Sequence, residues 1–328
     1  MRLMSFPLII TQPQINPEDL AEVQAYKQSL HKAIQNAPPL PDETLARAIA
    51  LRHNLSKAPF VSPPHPEAQN RLISTGNGEI NLHIITPETV KGIYLDIHGG
   101  GWVVGNATMS DRIKLEMAKT AQVAVVSIEY RLAPEYPYPT PIDDCEAAAL
   151  WLINNARSEF GTEKLIIGGE SAGAHLAVMT LLRLRDRHSA LDRILGANLF
   201  YGVYDLSGSP SWRQGNDKDN FDLTPTKMEW YVSTFLEGIP PQMRRNGSYS
   251  PLYADLHQMP PALFTVSDTD ILRDDSLFIA TRWAAAGSEA ELVVYPELPH
   301  GFTLLPLAIA KQANGRSREF VRRLLQTD

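Results

Sequence analysis

"IIGGESAGAHLAV", residues 166–178, sets a serine among small residues where an apolar run gives way to a helical pattern. Two readings compete. A tight turn needs small side chains, and the serine is then incidental. Alternatively, the serine is held up as a nucleophile. Gly169-Glu170-Ser171-Ala172-Gly173 spells G-x-S-x-G between a predicted strand at 165–168 and a predicted helix. A serine at such a strand-to-helix turn projects its hydroxyl away from the sheet, and flanking glycines give the turn room. The helix N-terminus behind it favours negative charge nearby. The pentapeptide alone is a weak signal, so the rest of the chain has to decide.

Outward from this turn, short β-rich runs alternate with helical patterns. "INLHII", "GIYLDIHGG", "VAVVSIEY", "KLIIGGE", "GANLFYGVYD", "ALFTVSD" and "AELVVYPE" read as strands. Residues 111–119, 141–157, 172–187, 272–286 and 315–326 read as helices between or after them. This alternation predicts an α/β fold with a mostly parallel central sheet flanked by helices. The first sixty residues read as helical, with Asn16 and Asp42 as caps and a proline-rich linker at 59–66. Residues 206–250 fit the alternation poorly: a loop-like stretch precedes a helix at 225–236. The expected organisation is an N-terminal helical cap segment at 1–60, a catalytic core at 70–205 and 251–328, and a cap insertion at 206–250.

A second glycine cluster, "DIHGGGWVVG" at 96–105, also ends a buried strand. Three consecutive glycines let backbone N–H groups face a cavity without obstruction, as an oxyanion hole requires, and the Ala172 N–H adds a further donor. A phosphate-binding loop would need G-x-G-x-x-G, or a Lys-Ser/Thr pair after the glycines, and neither is present. The serine needs a base and a group that orients it. Of the four histidines that follow it, His175 lies one helical turn on and packs beside it. His188 ends a charged helix and reads as solvated, and His257 lies in a loop before "MPP". His300, in the loop after the last strand, is the expected base, because the serine's turn also lies at a strand's C-terminal end. For the acid, Asp268 and Asp270 both follow a strand in "TVSDTDILRDD", and pattern alone does not separate them. Asp274 and Asp275 are expected on the solvent face of the next helix.

Composition narrows the function classes. The 328 residues are 44% hydrophobic, enough for a sizeable core, and the net charge of −7 argues against a general grip on nucleic acid or anionic membrane. No apolar run approaches the ~20 residues of a membrane span, and the first ten residues lack the marks of a signal peptide. The one cysteine, Cys145, cannot pair within the chain and reads as a small buried residue, in keeping with a reducing cytoplasm. No cluster has metal-ligand spacing, so neither metal nor cofactor is expected.

The motifs "HGGGW", "YRLAPEYPYPTPIDD", "GESAG", "DILRD" and "HGF", in this order from about residue 90 to the C-terminus, resemble the hormone-sensitive-lipase-like esterases, a bacterial family of carboxylesterases with the α/β-hydrolase fold. The resemblance implies Ser171 as nucleophile, His300 as base and Asp270, at the head of D-x-L-R-D, as acid in preference to Asp268. It implies Gly100 and Gly101, with Ala172, as the oxyanion hole, and gives His98 the task of shaping that loop. The chain departs from the family at Glu170, where Asp or Thr is usual, at Ala174 and at Ile271; Glu170 leaves the hydrogen bonding around the nucleophile open. Arg131, Glu135, Asp143 and Asp144 are expected to form ion pairs that fix the loop after "VAVVSIEY".

The function this implies is hydrolysis of small carboxylic esters of short to medium acyl length. Trp102, Trp212 and Trp230, with Phe221 and Tyr231, are candidate pocket walls. A peptidase or amidase on the same fold and a non-catalytic small-molecule receptor are the alternatives. The last strand reads as a sheet edge that can pair across a homodimer.

Overall fold

The computed structural model describes residues 7–58, 61, 63–76, 78–217 and 222–326. Within them, one sheet contains β1 (Leu8–Thr11), β2 (Gln69–Thr75), β3 (Gly78–Ile85), β4 (Gly92–Ile97), β5 (Val123–Glu129), β6 (Leu165–Glu170), β7 (Ile194–Phe200), β8 (Ala262–Ser267) and β9 (Ala290–Tyr295). Their spatial order is β1-β9-β8-β7-β6-β4-β5-β3-β2. Only β2–β3 and β3–β5 pair antiparallel. The central strands are buried on both faces, which is why they read as continuous apolar runs rather than alternating ones.

The helices are α1 (Pro17–Gln35), α2 (Thr44–Ser56), α3 (Asp111–Ala121), α4 (Thr140–Phe160), α5 (Ala172–His188), α6 (Pro210–Gln214), α7 (Pro225–Phe235), α8 (Arg273–Ala285) and α9 (Ala308–Gln326). From β4 to β5 the chain steps one way along the sheet; from β5 through β6 to β9 it steps the other. Right-handed crossovers therefore send α3 to one face and α4, α5 and α8 to the other. In keeping with this, α3 packs on α9 and α4 on α5. The reversal leaves a crevice beyond the C-terminal ends of β4 and β6, the usual place for a site in an open parallel sheet. Both glycine motifs open into it. Among the described residues, no helix is long and apolar enough to cross a membrane.

Several expectations change. The first sixty residues are not all helical: β1 pairs with β9, so the last strand is not the sheet edge expected of it. A four-residue strand with Ile9 and Ile10 both exposed carries no alternation to read. β2 was also hidden, because one residue of its seven is buried. The cap of α2 is Glu43, whose carboxylate accepts from the N–H groups of Leu45 and Ala46, rather than Asp42. α9 begins at Ala308, well before 315, because buried Ile309, Ala310 and Ala313 hold a turn that Asn314 and Gly315 make unpromising locally. His188 is not free in solvent: its Nε2 lies 2.7 Å from Glu146 Oε1.

The ion pairs around the loop after β5 are also redistributed. Arg131 pairs with buried Asp144 at 2.6 Å, as expected, but Asp143 pairs with Arg183 of α5. Glu135 takes a two-pronged bond from Arg52 of α2, which also donates to the carbonyls of Val103 and Ala133. One N-terminal arginine thus ties α2 to the loop that follows β4.

Asp274 and Asp275 are buried at the start of α8, not exposed. They hold the root of the 206–250 segment. Asp275 Oδ1 accepts from the N–H groups of Tyr204 and Asp205 at 2.6 and 2.7 Å, and Asp274 Oδ2 from Ser211 N–H at 2.9 Å. Burial pushes the Asp275 carboxyl up from 3.8 to about 7, against the pull of these donors. Folding therefore holds its proton more tightly than the unfolded chain does. The stability linked to that proton is complete below about 3.8 and is lost as pH rises through about 7. Asp275→Ala, which strands two buried amides, is expected to lower unfolding free energy by about 2–4 kcal/mol. Asp275→Asn keeps an acceptor and removes the titration, so its thermal stability should fall less and no longer decline across that pH window. Thermal denaturation from pH 4 to 8 checks both.

Candidate active site

Ser171 stands between β6 and α5 at φ 54° and ψ −118°, a conformation an L-residue rarely adopts. Strain of this kind persists only where surroundings over-determine it. Here Ser171 N–H donates to Phe200 O at 2.9 Å, and its carbonyl accepts from Ala174 and His175. The flanking glycines are required by proximity. A Cβ on Gly173 would lie 2.0 Å from Ile97 O, and one on Gly169 would lie 2.4 Å from Gly173 O. The start of α5 is thus pressed against the end of β4, which brings the serine to the loop carrying the three glycines.

His300 and Asp270 arrive from the loops after β9 and β8. His300 Nε2 lies 2.8 Å from Ser171 Oγ, and its Nδ1 lies 2.8 Å from Asp270 Oδ2. Asp270 is fully buried at its side chain, and its Oδ1 accepts from Leu272 N–H. Asp268 points elsewhere: its Oδ1 accepts from Glu297 N–H at 2.7 Å, closing the turn between the two loops. Burial pulls His300 toward the neutral form. The charge and hydrogen bond of Asp270, helped by Asp222 and Glu170, outweigh it and leave the imidazole pKa above its ordinary value.

The other histidines near the site do different work. His98 and His175 are buried, and burial drives each down to about 4, so both are neutral at pH 7. His98 donates from Nδ1 to Gly99 O at 2.8 Å and stacks on Tyr130. His175 accepts from Trp102 Nε1 and donates to Tyr249 O.

The glycine loop turns at Gly100 (φ 116°) and Gly101 (φ 59°). A Cβ on Gly100 would meet Val104 O at 2.1 Å, and one on Gly101 would meet the Tyr231 ring at 2.5 Å. Gly100 O accepts from Val103 and Val104. Among the described residues, no acceptor takes the N–H of Gly100 or Gly101. Ala172 is the first residue of α5, so its N–H has no acceptor within the helix. Glu170, the departure next to the nucleophile, accepts from Tyr201 OH at 2.9 Å. Tyr201 OH also bonds Thr303 Oγ1, and its ring meets His300 edge-on at 4.9 Å.

A cavity of about 180 Å³ opens over the serine, walled by Leu55, Met109, Leu223, Met228, Tyr231 and Leu304. Leu55 comes from α2; Met228 and Tyr231 come from α7. Trp102, Trp212 and Trp230 do not line it. Trp102 is fully buried and stacks on Phe235 at 4.5 Å. Trp212 is buried and donates to Pro225 O, while Trp230 lies under the Arg47 guanidinium at 4.7 Å. All three indoles pack against these neighbours rather than line the cavity over the serine. Phe221 lies outside the described residues. Two cavity residues, Asp222 and Lys227, had no sequence signal: Asp222 Oδ2 accepts from His300 N–H across a separation that no local pattern marks.

A family model described as "alpha/beta hydrolase fold" matches residues 94–304. The chain is 32% identical over 261 residues to Carboxylesterase NlhH of Mycobacterium tuberculosis, covering 76% of this chain and 80% of that one. It is 30% identical over 234 residues to the Acetyl esterase of Salmonella typhi, covering 70% and 71% respectively. Among solved structures, the Pyrobaculum calidifontis esterase superposes with a TM-score of 0.82 at 26% identity, over 91% of this chain and 99% of that one. EstE1, a thermostable carboxylesterase from a metagenomic library, gives 0.78 at 27% identity, over 85% and 98%.

The two aspartates make the site testable. Asp270→Asn is expected to lower kcat by about 10⁴-fold through the wrong imidazole tautomer, and Asp268→Asn far less. The same pair reports on pH. A base must be neutral to accept a proton, so kcat/KM should fall as pH drops through the raised His300 pKa. Asp270→Asn removes the main cause of the rise and should move that acidic limb to lower pH. A pH–rate profile of both variants reads the difference.

Proposed function

Because the chain belongs to the α/β-hydrolase family, we propose that it hydrolyses carboxylic esters through an acyl-enzyme on Ser171. The class is that of the hormone-sensitive-lipase-like carboxylesterases, and an esterase/lipase activity is favoured over the peptidase and receptor readings by the relatives' own activities. The observation that carries the mechanism is the unbroken chain Ser171 Oγ–His300 Nε2 and His300 Nδ1–Asp270 Oδ2, both at 2.8 Å, beneath a cavity.

In the proposed first half, Ser171 Oγ attacks the ester carbonyl while His300 Nε2 takes its proton. The N–H groups of Gly100, Gly101 and Ala172 receive the oxyanion; each removed donor of this kind costs about 10²–10³ in kcat elsewhere. His300 then gives the proton to the departing alkoxide, leaving an acyl-serine. Water, deprotonated by His300, repeats the attack, and collapse returns the proton to Ser171 and frees the acid. Asp270 holds the imidazole in the tautomer with Nε2 unprotonated and stabilises its charged form.

The cap is read as α1, α2 and the 206–250 segment. The cavity beneath it, about 180 Å³, is lined by apolar side chains from α2, α7 and the loops around the serine. Each buried CH₂ adds ~0.8 kcal/mol until the space is full, so kcat/KM should rise from acetyl, peak between butyryl and octanoyl 4-nitrophenyl esters, and fall for palmitoyl. Long-chain triglyceride hydrolysed faster than a dissolved butyrate ester would reassign the enzyme as a lipase. A fluorophosphonate should label Ser171 alone, and folded Ser171→Ala should retain well under a few per cent of activity; labelling elsewhere, or residual turnover above that, would remove Ser171 from the mechanism.

A further inference from the structure

Lys227 reaches into the same apolar cavity as Ser171. It lies in the first turn of α7, and its Nζ donates to Asp222 O at 2.9 Å. No described carboxylate lies within ion-pairing distance of it. The nearest is Asp222, whose Oδ2 is already taken by His300 N–H. Burial draws the ammonium pKa down; Asp222 opposes this and Arg47 adds to it. Arg47 belongs to α2 and stands over the ring of Trp230, one helical turn from Lys227 on the same face of α7. Its Nε is buried with no acceptor. Lys227 thus lines the cavity with one backbone carbonyl as acceptor, and the second cation, Arg47 of α2, stands over Trp230 one helical turn along α7. Lys227 is half-buried, and among the described residues two of its three donors have no protein acceptor, so they are open to an anion in the cavity.

We propose that this site selects esters that carry an anionic group, a carboxylate or phosphate, which pairs with Lys227 and secondarily with Arg47. The proposal rests on the ester-hydrolase reading above and names its substrate class. Lys227 and Ser171 line the same cavity, and the anion is tested on both sides of the scissile bond. A hydrogen bond to a charged group contributes roughly ten- to hundredfold.

The experiment measures kcat/KM for two matched pairs on the whole protein. On the acyl side, 4-nitrophenyl hydrogen glutarate is compared with 4-nitrophenyl pentanoate. On the alcohol side, the butyrate ester of 4-hydroxyphenylacetate is compared with that of its methyl ester. At least one anionic member should exceed its neutral counterpart by about tenfold or more, and the ratio should shrink as salt is raised. In Lys227→Gln the ratio should collapse toward one, in Lys227→Arg it should persist, and in Arg47→Gln it should fall part of the way. Neutral esters turned over with no anionic preference in either pair would overturn the proposal and leave the esterase reading intact. A preference that survives Lys227→Gln would also overturn it. Failure of all four substrates would remove the esterase reading and this proposal together. The wild-type ratios and their salt dependence decide the matter even where a variant does not fold.

Discussion

Ser171 keeps its hydroxyl in the crevice because its backbone is held in a left-handed conformation by neighbours that leave it no other. The hold has two parts. Phe200 O fixes the serine's amide from the adjacent strand β7. Gly173 lets the start of α5 press against the end of β4, so close that a Cβ would strike Ile97 O at 2.0 Å. The same contact brings the serine beside the Gly99–Gly101 loop, so Ser171 and the glycine amides are aligned by one piece of packing. An alanine at 173 would push the two apart and loosen both.

Three histidines beside this turn show how surroundings set a residue's chemistry. His98, His175 and His300 are all largely withdrawn from water, and for each burial favours the neutral ring. His98 and His175 have only backbone carbonyls to donate to, and their pKa values fall to about 4. They are rigid struts that hold the glycine loop and Trp102. His300 alone faces a buried carboxylate, and this reverses the direction of its shift. Of the three, only His300 is held toward a titration above the ordinary imidazole range.

α2 and the 206–250 segment lie far apart in the chain, and both are anchored by polar contacts. Arg52 of α2 grips Val103 O, Ala133 O and Glu135. Asp274 and Asp275 at the start of α8 grip the backbone where the 206–250 segment departs. Between these anchors the cap contributes Leu55, Met228 and Tyr231 to the cavity. α2 and α7 thus both wall the space above the serine.

By itself, the sequence determined the elements whose signals are local. Apolar runs that end in glycine predict the buried parallel strands, because burial on both faces removes alternation. G-x-S-x-G and the three glycines are legible because the close approach they allow excludes other side chains. His300 follows from its place at a strand end. Only tertiary structure decided what depends on distant partners. Local pattern leaves Asp268 and Asp270 alike, the family resemblance favours Asp270, and in the fold Glu297 N–H meets one and His300 the other. Asp275 looked solvent-facing until the root of the cap covered it. The tryptophans looked like pocket walls because aromatic residues suit both pockets and cores; they pack instead against Phe235, Pro225 and Arg47. β1 had no local signal, because a four-residue strand exists only through the backbone bonds that β9 offers it.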